Sequence, residues 1–174
     1  MTEPAVDDAQ RVIGEAFARG GWLAGQRLPA HYRGCYGCGP DNDHGLGLEV
    51  EAAEDDQGVR ASYVFTERFQ GAAGYAHGGA IAALVDDLFG FVLVRVLLPA
   101  VTHELSITYH RPVQLGVDCE LHARLDSRDE RRLRLSATLV QNGKVAVDST
   151  ALFVTVDPKR LVPPPSPTAS GQPM

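Results

Sequence analysis

Nowhere in these 174 residues do lysines and arginines gather into a run, and acidic groups outnumber them 22 to 16. A net charge of −6 without a basic patch argues against nucleic acid as the main partner, because phosphate contacts need clustered cations. No apolar run is long enough to cross a membrane undisturbed. The longest, residues 79–98, is broken by Asp86, Asp87 and Arg95, so no membrane span is expected. The N-terminus is acidic and lacks an apolar segment, so no secretory signal is read there and a cytoplasmic protein with reduced thiols is expected. Cysteine is scarce: there are three, and only Cys35 and Cys38 stand close together. What remains is ordinary for one soluble globular domain, with 44% hydrophobic and 22% charged residues.

The chain is organised around residues 69–98. A glycine-rich loop leads into a segment whose residues Ile81, Leu84, Val85, Leu88, Val92 and Val96 recur at spacings of three and four. Ala82, Ala83, Phe89, Phe91 and Val94 make the other faces apolar too. The pattern predicts a buried helix over residues 79–98, stopped by Pro99. Asp86 and Asp87 fall in its middle and point about 100° apart, so they cannot face one another. A buried carboxylate needs a partner. The structural reading is a salt bridge, to Arg95 or to a neighbouring chain. The chemical reading starts from His77-Gly78-Gly79 just before the first turn. A helix start offers unpaired N–H groups and a partial positive charge, suited to a developing oxyanion. Asp86 lies about 10 Å further along the axis, and the two features are expected to bracket an acyl carbonyl and its attacking water.

The run Phe69-Gln70-Gly71, Gly74, Ala76 to Ala82 and then Asp86 resembles hotdog-fold acyl-CoA thioesterases of the PaaI-like, thioesterase-superfamily-member type. Thr102 to Pro112, ending Tyr109-His110-Arg111-Pro112, resembles the strand after the helix in that family, and the likeness runs over about residues 35–156. It implies an α+β hotdog fold, a long central helix wrapped by a curved antiparallel sheet. It implies hydrolysis of an acyl-CoA to a free acid and CoA, with no metal and no cofactor. Carried over by position, Asp86 is the general base or the nucleophile. Gly78 supplies the oxyanion donor, His77 bonds or orients the thioester carbonyl, and Thr102 orients the water from the partner subunit. Gly79, Phe69 and Arg111 are candidate substrate contacts, Arg111 for a CoA phosphate. A homodimer or a dimer of dimers, with the site at the interface, is implied as well. Two alternatives stand: an enoyl-thioester hydratase or dehydratase, and a protein that binds acyl-CoA without turnover.

The other segments fit around this. Residues 1–30 read as an N-terminal helical extension, with an amphipathic helix over 4–24. Residues 31–156 form the hotdog domain. Leu46 to Ala53 and Val59 to Phe65 alternate as strands, and further strands are expected over 101–109, 118–126, 131–141 and 144–156. Asn142-Gly143 is the strongest hairpin signal. Residues 157–174 hold six of the eleven prolines and are expected to be disordered. Cys35-x-x-Cys38 invites a zinc site completed by His31 and His44. No second ligand pair is at metal spacing, so the cysteines are read as small packed residues in a turn.

Overall fold

A computed structural model describes residues 21–55 and 57–157. The helix expected over residues 4–24 lies outside them up to residue 20, and Trp22 to Ala24 are not helical. The proline-rich tail beyond residue 157 also lies outside them.

The strands are β1 (Glu51–Ala52), β2 (Gly58–Val64), β3 (Ala100–Tyr109), β4 (Asp118–Asp129), β5 (Arg132–Gln141) and β6 (Lys144–Thr155). They form one antiparallel sheet in the order β1-β2-β4-β5-β6-β3. A short 3₁₀ turn, Glu67–Phe69, and the helix α1 (Gly78–Arg95) come between β2 and β3.

Alternation explains the sheet. Cys119, Leu121 and Ala123 on β4, with Leu133, Leu135, Ala137 and Leu139 on β5, face inward and are almost wholly buried. Their neighbours between face water. The helix meets this face with Leu84, Leu88, Phe89 and Val92, all fully buried, and Phe89 packs edge-on against Phe153 of β6 at 6.1 Å. Each large side chain removed from water in this way contributes ~1.5–3 kcal/mol. The β5–β6 hairpin turns at Asn142 and Gly143, both at positive φ (52° and 68°), as a two-residue turn of this hand requires.

Two local expectations need correction. The first strand pairs only over Glu51–Ala52, although Leu46, Leu48 and Val50 are buried in alternation. Their backbones bond to loops instead: Leu46 N–H to Tyr36 O, Leu48 N–H to Gly37 O, and Leu28 N–H to Val50 O. The helix ends at Arg95, four residues before Pro99, because Leu97 takes a left-handed conformation (φ 56°) that no helix continues through.

Two features of this frame position the site. First, β3 lies at the sheet edge, is ten residues long, and is exposed over most of both faces. An edge that long offers unpaired backbone groups to another strand. Second, the two ends of β3 are tied to two different places on α1. Tyr109 donates its hydroxyl hydrogen to Gly78 O at 2.8 Å, while Thr102 contacts Asp86.

Candidate active site

The helix start is built by its own cap. His77 sits in extended backbone, and its Nδ1 accepts the Gly79 N–H at 2.9 Å. Neutral His77 therefore carries its proton on Nε2, which is the free donor of this ring. Ala80 and Ile81 both donate to His77 O. The loop before it is tight. A Cβ on Gly71 would lie 2.9 Å from His77 Cα, so only glycine fits there. The Gly78 N–H is a first-turn amide with no intrahelical acceptor. Gly79 is different: the cap takes its N–H, so the expected role as a substrate contact finds no free donor there.

Two turns on, Asp86 accepts a hydrogen bond on Oδ1 from Thr102 Oγ1 at 2.9 Å. Both line a cleft of about 690 Å³. Its further walls are Leu93, Val94, Leu97, Leu98 and Phe153, an apolar surface, with His31 and Asp87 on the other side. A carboxylate held by one hydroxyl at the mouth of an apolar cleft can take a proton from water while a chain lies beyond it.

The geometry corrects the sequence reading at two points. Gly78 and Asp86 are eight residues apart, about 12 Å along the axis, and neither Gly78 nor His77 lines the cleft. One carbonyl and its water cannot bridge that span within a single chain. Thr102, which the family resemblance assigned to a partner subunit, reaches Asp86 of its own chain.

Two other candidates are placed elsewhere. Phe69 is buried in the core, edge-on to Phe65 at 6.3 Å and covered by the Arg68 guanidinium at 4.8 Å. Its apolar bulk serves packing. Arg111 donates from Nη1 to Val145 O at 2.6 Å and lines a shallow depression with Tyr75 and Lys144, away from the cleft.

Asp87 turns away from Asp86 and is 10% exposed. Its partner is not Arg95, which is itself buried and donates to Trp22 O at 2.5 Å. Instead Asp87 Oδ1 lies 3.2 Å from His31 Nδ1 and 3.4 Å from Cys35 Sγ. Cys38 Sγ lies 3.2 Å from the same Nδ1. Burial opposes a charge on His31, but its hydrogen bonds to Asp87, Cys35 and Cys38 outweigh this and push the imidazole up to about 12. The His31 contact holds the Cys35 thiol below its ordinary value, and burial pushes the Cys38 thiol up. His44, weighed as a ligand from the sequence, is exposed in a turn and outside this group. The sequence signal that was present is His31-x-x-x-Cys35-x-x-Cys38. Its fourth member stands 56 positions from His31, and only the fold delivers it.

Comparison with known proteins bears on this geometry. Residues 73–146 match the thioesterase superfamily. Over 122 residues the chain is 30% identical to acyl-coenzyme A thioesterase THEM4 of Mus musculus, covering 68% of this chain and 53% of that protein. The chain thus spans about half the length of the curated relatives it matches. Among solved structures, a thioesterase superfamily protein is similar with a TM-score of 0.68 and 26% identity, over 88% of this chain and 81% of that one. The E. coli PaaI protein from the phenylacetic acid degradation operon shares the fold, with a TM-score of 0.58, 18% identity, and coverage of 63% and 83%. The fold is that of the hotdog thioesterases, here an open six-stranded sheet around one helix. Among the described residues no helix is long and apolar enough to cross a membrane.

Proposed function

From the match of residues 73–146 to the thioesterase superfamily, we propose that this chain hydrolyses an acyl-CoA thioester to a carboxylic acid and CoA, with Asp86 as the group that activates water. The observation that carries this reading is the Thr102–Asp86 hydrogen bond at 2.9 Å on the rim of the apolar cleft. Asp86 takes a proton from water, and the water oxygen attacks the thioester carbon. The oxyanion that forms is met by the Gly78 N–H and the positive end of the helix, with His77 Nε2–H as a second donor. The C–S bond then breaks, the acid leaves, and the thiolate is protonated. Direct attack by the Asp86 carboxylate would give an anhydride first and the same products.

Because Gly78 and Asp86 are too far apart within one chain, the working site needs two copies. Residue positions on β3 supply the route. Thr102 marks the Asp86 end of this edge strand, and Tyr109 marks the Gly78 end. If two copies pair β3 with β3 antiparallel about Leu105 and Ser106, Tyr109 of one meets Thr102 of the other. His77 and Gly78 of each copy then approach Asp86 of its neighbour, and the dimer has two equivalent sites, as a two-fold axis demands. A further pairing of dimers is compatible with this arrangement. Arg111 and Lys144 share the depression beside Tyr75 and offer positive charge for a CoA phosphate near the His77 end. A cytoplasmic location suits this substrate.

The test is thiol release from a panel of acyl-CoA esters, short, long and aromatic, by the native chain and by Asp86→Asn. Release by the native chain that is lost in a variant still dimeric by size-exclusion chromatography supports the reading. Binding of acyl-CoA without thiol release identifies a binding protein. Change in enoyl absorbance without thiol release identifies a hydratase.

A further inference from the structure

Four side chains beside the cleft have no role in this chemistry. They are His31, Cys35 and Cys38 from the turn ahead of β1, and Asp87 from α1. Their ligand atoms, one nitrogen, two sulfurs and one oxygen, all lie within 4.8 Å of one another. We propose that these four residues bind one zinc ion in a closed, structural site that fastens the residue 31–38 turn to the central helix.

Donor type and spacing support zinc. Nitrogen, thiolate and carboxylate are its usual protein ligands, with Zn–S about 2.3 Å and Zn–N or Zn–O about 2.0–2.2 Å. A tetrahedron with those arms has edges of about 3.3–3.8 Å. Three of the six edges are close to this: 3.2 Å from His31 Nδ1 to Asp87 Oδ1, 3.2 Å from the same atom to Cys38 Sγ, and 3.4 Å from Cys35 Sγ to Asp87 Oδ1, while the other separations stay within 4.8 Å. Four protein ligands leave no open position for water, so the site is structural and not a second catalytic centre.

Proton counting points the same way. A single Nδ1–H cannot serve both Asp87 Oδ1 and Cys38 Sγ at equal length. Among the described residues, Asp87 Oδ2 and His31 Nε2 are buried without a hydrogen-bond partner. A shared cation takes Nδ1, Oδ1 and both sulfurs together without calling on that proton. The turn is also built to hold thiolates. The His31 N–H donates to Cys38 Sγ at 3.3 Å. Such a donor orients the ligand and tempers its charge. Packing adds a last constraint. A Cβ on Gly37 would lie 2.0 Å from Asp87 Cγ, and one on Gly90 would lie 2.6 Å from His31 Cε1. Glycine at both positions lets the turn seat directly on the helix.

Zinc would neutralise Asp87 and displace a proton from each ligand that carries one, so its affinity falls at acidic pH. It would link positions 56 residues apart, which constrains a long stretch of chain.

The experiment uses the full chain without an affinity tag, expressed with zinc in the medium. Elemental analysis after gel filtration should find about one zinc per chain. Replacement by Co²⁺ should give a thiolate-to-cobalt charge-transfer band and the intense d–d bands of a tetrahedral site. This spectrum belongs to the native chain and needs no variant. Both signals should vanish in Cys35→Ser combined with Cys38→Ser and persist in Cys119→Ser. Chelation should lower the melting temperature of the native chain, and added Zn²⁺ should restore it, with no such response in the double variant. Protein isolated without metal that gives no cobalt spectrum overturns the proposal. So does metal that survives loss of both thiols, or a Cys35–Cys38 disulfide in protein that stays metal-free after reduction. None of these readouts depends on thioester hydrolysis, so this site and the proposed activity can fail separately.

Discussion

Asp86 and Asp87 are consecutive on one helix, yet they live in different regions of the molecule. Asp86 opens on the cleft, held by one hydroxyl, with apolar walls beyond it. Asp87 is turned into the loop, 10% exposed, among an imidazole and two sulfurs. The difference follows from the turn of 100° per residue, which sends neighbours to separate surfaces. It teaches that a carboxylate pair inside an apolar helix need not be one device. One member meets a single hydroxyl at a cleft, which suits the proposed work on water, and the other is enclosed by an imidazole and sulfur.

Substitutions can break this comparison or sharpen it. The largest effect on rate is expected for Asp86→Asn, which should lower kcat for thiol release by on the order of 10²–10⁴ and leave the fold intact. Next comes Gly78→Pro. Proline is favoured at the first helical position, and the extended conformation of His77 suits a following proline, so the helix should still form. What is lost is the backbone N–H proposed to meet the oxyanion beside His77, at a cost of about 10²–10³ in kcat. Thr102→Ala removes a single hydrogen bond to the carboxylate, about 1.4 kcal/mol or tenfold in rate, read from the same assay. Asp87→Asn should have the smallest effect on rate, within about threefold, while unfolding in urea reports a loss of ~1–3 kcal/mol as the His31 group loses its anion. A variant of Asp87 that loses activity without losing stability would dissolve the contrast.

The sequence made some of this legible and hid the rest. Apolar residues at spacings of three and four announced α1, and Asn142-Gly143 announced the β5–β6 turn, because local periodicity and positive φ leave direct marks. The residues at the helix start and Asp86 were readable as a pattern. Their separation into different places was not, since a spacing along one helix does not say what closes the far side. The short first strand was hidden because Leu46, Leu48 and Val50 alternate as a strand does, while their backbones bond to turns. The group around Asp87 was hidden for a different reason. His31 and Cys38 are near in sequence, but the carboxylate they meet lies far along the chain, and His44 offered a nearer, mistaken ligand.

The central claim is that each working site draws Asp86 from one copy and Gly78 from another. Mixing two inactive proteins tests it most directly. Asp86→Asn and Gly78→Pro chains are unfolded together, refolded, and assayed for thiol release. Random pairing should make half the dimers mixed, each with one of its two sites intact, and restore about a quarter of native activity. Activity that stays at the sum of the two separate variants would place both residues in the same chain's site and contradict the account.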